Sequence, residues 1–155
     1  MNTNFNKLWR LNSALFLFAL IFEISPVFAQ SPTLAEIDHL HQESALKKEY
    51  ENISSQIKKV LAINPNQYKW KWRQARAHYA LAKKSGDSKV DHYDQCILYS
   101  TQAIKLQPDS AISYFYRGLC RGKQGQMKGV WASLGIIDPF EKDMKKAVSL
   151  DPAVS

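Results

Sequence analysis

Three stretches of the chain close on nearly the same phrase: "VLAINP" from Val60 to Pro65, "AIKLQP" from Ala103 to Pro108 and "AVSLDP" from Ala147 to Pro152. Each reads as a small or β-branched residue, an aliphatic, a variable position, Leu or Ile, a polar residue, then proline. The prolines lie 43 and 44 residues apart. A period of this length marks stacked supersecondary units, each too thin to bury its apolar face alone. Proline closes each unit because it cannot donate to a helix and turns the residue before it away from helical geometry.

The three units, residues 33–65, 66–108 and 109–152, each read as a helix pair. In the first, Thr33 with Glu36 forms a candidate capping box. Leu34, Ile37, Leu40, Tyr50, Ile53, Ile57, Val60 and Leu61 then recur at helical spacing. Either one long helix or two helices with a polar corner near Lys47-Lys48-Glu49 would fit this stripe, and two are expected. The second unit opens on "YKWKWR", whose alternation suits a half-buried strand, but "QARAHYALAKK" continues it with strong helix formers. "SGDSK" breaks that helix, and Asp91 or His92 starts the next. The third repeats the plan: a helix over "SAISYFYRGLCRG" ending at Gly122, a glycine-bearing stretch, "WASLGII", and a last helix from Pro139 or Phe140 to Leu150.

Residues 1–29 stand apart. Lys7 and Arg10 precede an apolar run from Leu11 to Phe22, and "Val27-Phe28-Ala29" has the form of a cleavage site, so the start reads as a signal peptide cut after Ala29. The run is short for a bilayer span, although Glu23 at its end leaves an uncleaved anchor as the competing reading. Cleavage leaves residues 30–155 as one helical domain. Basic residues fall from 21 to 19 and acidic from 14 to 13, a net charge of +6. An exported basic chain is expected to meet protein, peptide, glycan, anionic lipid or a small acid rather than nucleic acid.

Export also places Cys96 and Cys120 where disulfides persist. Each lies twelve residues from Pro108, hence level across a helical hairpin. A bridge and a pair of buried free thiols both fit that placement.

Few motifs suggest chemistry. "GLCRGKQ" resembles a phosphate loop superficially, but its spacing is one residue short and Gln124 stands where Ser or Thr is required. His39 and His41, two apart, diverge on a helix, and His78 and His92 are remote in sequence, so no metal is expected. No nucleophile sits beside a base at a recognisable spacing, and neither an enzyme nor a cofactor is expected. Between Tyr68 and Lys89 seven basic residues face Asp87 alone, interleaved with Tyr68, Trp70, Trp72 and Tyr79. That mixture would suit single-stranded nucleic acid, yet the signal argues for solvated lysines and aromatics in the core.

The closing phrase, small Ala75 and Gly118 ten residues past their prolines, aromatic Trp72 and Phe115 seven past, and small Cys96 and Ala103 together resemble the tetratricopeptide repeat family. Units two and three then carry insertions around Lys84 to His92 and Gln124 to Pro139, and Trp72 is one place off that family's register. The stretch from Tyr114 to Pro152 is similar to exported helical-repeat proteins related to the T component of TRAP transporters and, more distantly, to the regulator of microtubule dynamics proteins. The resemblance implies an all-α, right-handed solenoid of three tetratricopeptide-like pairs. It also implies further helices, or a second subunit, over the last face, so a homo-oligomer or a longer chain is expected.

In such arrays the inner helices line a concave face, which here would hold Trp72, Arg73, Arg76, Tyr79, Phe115, Tyr116 and Leu119. Aromatic walls with guanidinium groups suit a peptide carboxylate or a small amphipathic acid. The expected function is a non-catalytic, exported, periplasmic module binding a protein or peptide. The competing expectation is a small-ligand-binding accessory of a TRAP-type transport system.

Overall fold

Six helices follow one another in the computed structural model, which describes residues 31–128 and 130–154, leaving aside the side chains of 128–134. They are α1 (Leu34–Glu43), α2 (Lys47–Ile63), α3 (Tyr68–Lys84), α4 (Lys89–Leu106), α5 (Ala111–Lys128) and α6 (Val130–Leu150), with a short 3-10 turn at Pro152–Val154. No strand occurs among the described residues. The expected signal peptide lies outside them.

The recurring phrase has one structural meaning in all three places. At the end of α2, α4 and α6 the N–H of the residue before proline donates to the carbonyl of the phrase's small first residue. The bonds are Asn64 to Val60 at 3.0 Å, Gln107 to Ala103 at 2.9 Å and Asp151 to Ala147 at 2.9 Å. The next residue, proline, has no N–H with which to extend the ladder, so the chain turns. Val60, Ala103 and Ala147 are also buried, because their small side chains let the neighbouring helix approach.

Helix starts are equally local in origin. The Thr33 N–H donates to Glu36 Oε2 at 2.6 Å while the Glu36 N–H donates to Thr33 Oγ1 at 3.2 Å, completing the expected box. Between α1 and α2 the corner falls at Ser44–Leu46, and Glu49 accepts from the N–H groups of Ala45 and Leu46 at 2.7 and 2.8 Å. "YKWKWR" is the first turn and a half of α3. Its alternation places Trp70 in the core and Trp72 at the surface of the neighbouring repeat, because no strand partner exists to satisfy a β backbone.

Each helix packs on the next, and α1, α3 and α5 also touch one another in turn, whereas the even helices do not. The result is an all-α helical-repeat solenoid with the odd helices inside. One core cluster joins the first pair to α3 through Ile37, Ile53, Ile57, Val60, Leu61, Trp70 and Ala77. A second joins α3, α4 and α5 through Ala75, Ala82, Tyr93, Cys96 and Cys120. The cysteines are bridged, with Cα atoms 6.3 Å apart, which decides between the two readings their spacing left open.

The third pair differs from the sequence reading. Gly122 is not a helix end: α5 runs on through Gly122 and Gly125 to Lys128, and α6 begins at Val130 rather than at Pro139. The extra residues of this unit lengthen both helices instead of forming a loop. Glycine allows it by closeness of approach, since a Cβ at Gly118 would meet Met144 Sδ at 2.9 Å, one at Gly122 the Phe140 ring at 3.1 Å, and one at Gly125 Ile136 Cγ2 at 3.3 Å. Pro139 lies inside α6. The residue four before it is Gly135, where nothing lies within 4 Å of the position a Cβ would take. No helix among the described residues is long and apolar enough to cross a membrane.

Candidate functional site

The contact of α3 with α5 gathers most of the residues expected on the concave face around Tyr116. Trp72 stacks on it with ring centroids 6.4 Å apart and planes 10° from parallel, Tyr79 lies 6.2 Å away, and Phe115 packs edge-on at 5.4 Å. Leu119 is not part of this group. It lines a separate space of about 430 Å³ between α5 and α6, with Gly122, Gly125, Ile136, Ile137 and Phe140.

Arg73 and Arg76 are on the same wall but are already engaged. Arg73 Nε donates to Asp38 Oδ1 at 2.8 Å, its Nη2 to Oδ2, and Nη1 to the Lys69 carbonyl at 3.0 Å; Arg76 Nη2 donates to Asp38 Oδ1 at 2.6 Å. Both guanidinium groups also face the Trp72 ring, at 4.1 and 5.1 Å from its centre. They therefore clamp α1 onto α3 through one carboxylate. Burial raises the Asp38 pKa, but hydrogen bonds and charge from Arg73 and then Arg76 outweigh it and hold the group below its ordinary value. A depressed carboxylate stabilises above its unfolded pKa and loses that contribution as pH falls through the folded one. Asp38→Ala is expected to cost about 2 kcal/mol, read as a lowered urea midpoint with earlier proteolysis of α1.

Beside this clamp a pocket of about 260 Å³ is lined by His41, Tyr50, Tyr79, Ala80, Lys83, Lys84 and Tyr116. Burial pushes the Tyr116 phenol up to about 12. His41 is brought down to about 4 by burial and then by the Arg76 charge, so its imidazole is neutral at pH 7. Tyr50 packs on His41 at 5.3 Å and donates its hydroxyl to the Ser44 carbonyl at 2.6 Å. His41 Nδ1 and Arg76 Nε are buried without hydrogen-bond partners.

Two further polar clusters escaped the sequence reading. Asp143 on α6, fully buried, accepts from Arg117 Nε and Nη2 at 2.9 and 2.6 Å and from Arg121 Nη1 at 2.7 Å. Between α2, α3 and α4, Gln74 Nε2 donates to Ser54 Oγ at 2.7 Å and approaches His78 Nε2 at 3.3 Å, while His78 Nδ1 meets His92 Nδ1 at 3.1 Å. Sequence distance hid the histidine pair, yet both residues lie seven from Ser85, level across the α3–α4 hairpin just as the cysteines are across α4–α5. Burial lowers both histidines, His78 to about 4 with the charges of His92 and then Lys58 adding to it, and His92 with Lys47 and Lys58 adding to burial against the opposing charges of Asp91 and Glu51.

Because these bases titrate lower in the folded state, unfolding takes up protons below pH 6.5, and stability falls as pH drops from 6.5 towards 4. One pH unit below 6.5 is expected to remove about 1 kcal/mol through His78. Urea midpoints measured across that range check it, and His78→Gln should flatten the slope.

Among the described residues no group of three or more His, Cys, Asp or Glu side chains is placed to hold a metal ion. What the wall presents is the ring faces and hydroxyls of Trp72, Tyr79, Phe115 and Tyr116.

Compared with known families, residues 33–155 match the model of regulator of microtubule dynamics protein 1-3. No curated protein matches the chain.

Proposed function

The chain belongs to the regulator of microtubule dynamics protein 1-3 family, and from that premise we propose that it is a non-catalytic helical-repeat module of tetratricopeptide type that binds a protein or peptide partner. The observation that carries this reading is the aromatic wall. Trp72, Tyr79, Phe115 and Tyr116 come from two successive inner helices and form one contiguous face, the surface on which a solenoid presents an extended segment. The leader expected of residues 1–29 supports an exported, periplasmic setting. Arg73 and Arg76 serve this face as the rigid backing of Trp72 rather than as ligand grips, since Asp38 occupies them.

The test is retention of whatever protein copurifies with the tagged chain. Trp72→Ala with Phe115→Ala is expected to abolish it while far-ultraviolet circular dichroism stays helical; unchanged retention by a folded double variant removes the reading.

A second reading, a small-ligand-binding accessory of a TRAP-type transport system, is favoured by the enclosed pocket beside the wall. Native mass spectrometry of protein recovered from its own compartment separates the two. A small bound mass supports the accessory, and a bound protein supports the module.

A further inference from the structure

We infer that the pocket formed by His41, Tyr50, Tyr79, Lys83, Lys84 and Tyr116 binds a single flat ring bearing one anionic group, an aryl carboxylate or aryl phosphate. This deepens the second reading above and rests on it, naming the class of ligand the same pocket would take. The volume, about 260 Å³, lies just below the range of drug-sized sites, so it holds one substituted ring and excludes a peptide strand. Three phenol rings make the walls. Tyr79 and Tyr116 stand 58° apart in plane with centroids 6.2 Å apart, which presents edges and faces together, the arrangement a third ring packs against.

The mouth is cationic. Lys83 Nζ sits 5.6 Å from the centre of the Tyr79 ring, and both Lys83 and Lys84 are exposed. Among the described residues no carboxylate lies within ion-pair distance of either, so an incoming anion displaces nothing.

The lining supplies a second, independent sign. His41 Nδ1 is a buried polar atom with no partner, and such an atom carries its full desolvation penalty until something bonds to it. His41 is neutral at pH 7, so it orients a ligand by a hydrogen bond while the lysines supply the charge. A bound ring with a polar substituent opposite its anionic group would meet both the lysines and His41.

The probes are benzoate and phenyl phosphate, with benzyl alcohol as the uncharged match, observed by saturation-transfer NMR and calorimetry on the whole oxidised protein. Both anions are expected to bind more tightly than benzyl alcohol. Lys83→Gln with Lys84→Gln, exposed positions that leave the core untouched, should weaken the anions about three- to tenfold and leave benzyl alcohol unchanged. His41→Phe should weaken 4-hydroxybenzoate, whose hydroxyl stands opposite its carboxylate, and leave benzoate and phenyl phosphate unchanged. Competition by inorganic phosphate against phenyl phosphate alone would assign the anion as phosphate, and its absence with benzoate bound would assign carboxylate.

No saturation transfer from any probe, or equal anion affinity in the lysine double variant, overturns the inference. Those outcomes are distinct from failure of the transport reading, which native mass spectrometry shows by the lack of any small bound mass while the pocket still takes benzoate. They are also distinct from failure of the wall reading, which the Trp72 and Phe115 variants decide.

Discussion

Exchanging Cys96 and Cys120 together for alanine is expected to lower the unfolding free energy by about 3 kcal/mol, from the closure of a loop with a sequence separation of 24. The effect is large here because the bridge ties α4 to α5, the junction between the second and third repeats. In a solenoid each repeat is held only by its neighbours. Both cysteines are fully buried among Ala75, Ala82 and Tyr93, so the substitution also removes packing at the same seam. Urea unfolding of the native chain with and without reductant checks the claim directly. Coincident curves would show that the bridge adds nothing. A reduced protein that unfolds in two steps, third repeat first, would place the lost energy at this junction.

Asp143→Ala is expected to cost still more, about 3 to 5 kcal/mol, the range for breaking a buried ion pair from one side. The carboxylate is 1% exposed and holds two guanidinium groups, which would be left half-buried and unpaired. Asp143→Asn, which keeps shape but not charge, should recover little. The contrast with Asp38 is informative, since that side chain is 30% exposed and water offsets part of its loss. Chemical denaturation of the two variants side by side reads the difference, and equal costs would show that burial is not what separates them.

The repeat plan was legible from proline spacing because its cause is local. A missing N–H ends a helix wherever it occurs, and a small residue four before the turn packs the same way in each unit. The capping box at Thr33 was legible for the same reason, and the corner read near Lys47-Lys48-Glu49 falls just before it, at Ser44–Leu46. Gly122 misled because glycine weakens a helix in isolation, whereas here its missing side chain lets α6 lie against α5, and that contact outweighs the local cost. Pro139 misled likewise, since α6 runs through it from Val130 to Leu150.

At the site, Trp72, Tyr79, Phe115 and Tyr116 were placed on one face by the resemblance to tetratricopeptide arrays, whose inner helices line a concave surface. The partners of the charged residues were not. Nothing in the order of residues says that Arg73 and Arg76 end on Asp38, or Arg117 and Arg121 on Asp143, because long side chains reach across the packing of helices remote in the chain.

By itself, then, the sequence determined where α2, α4 and α6 end and which small and aromatic residues recur, since those depend on backbone bonds and spacing within about ten residues. Tertiary structure alone decided which cations remain free to meet a ligand, because neutralisation depends on which carboxylate another helix brings within 3 Å. Lys83 and Lys84 stayed free while four arginines did not. That difference moves the candidate ligand site from the guanidinium groups to the tyrosine pocket beside them.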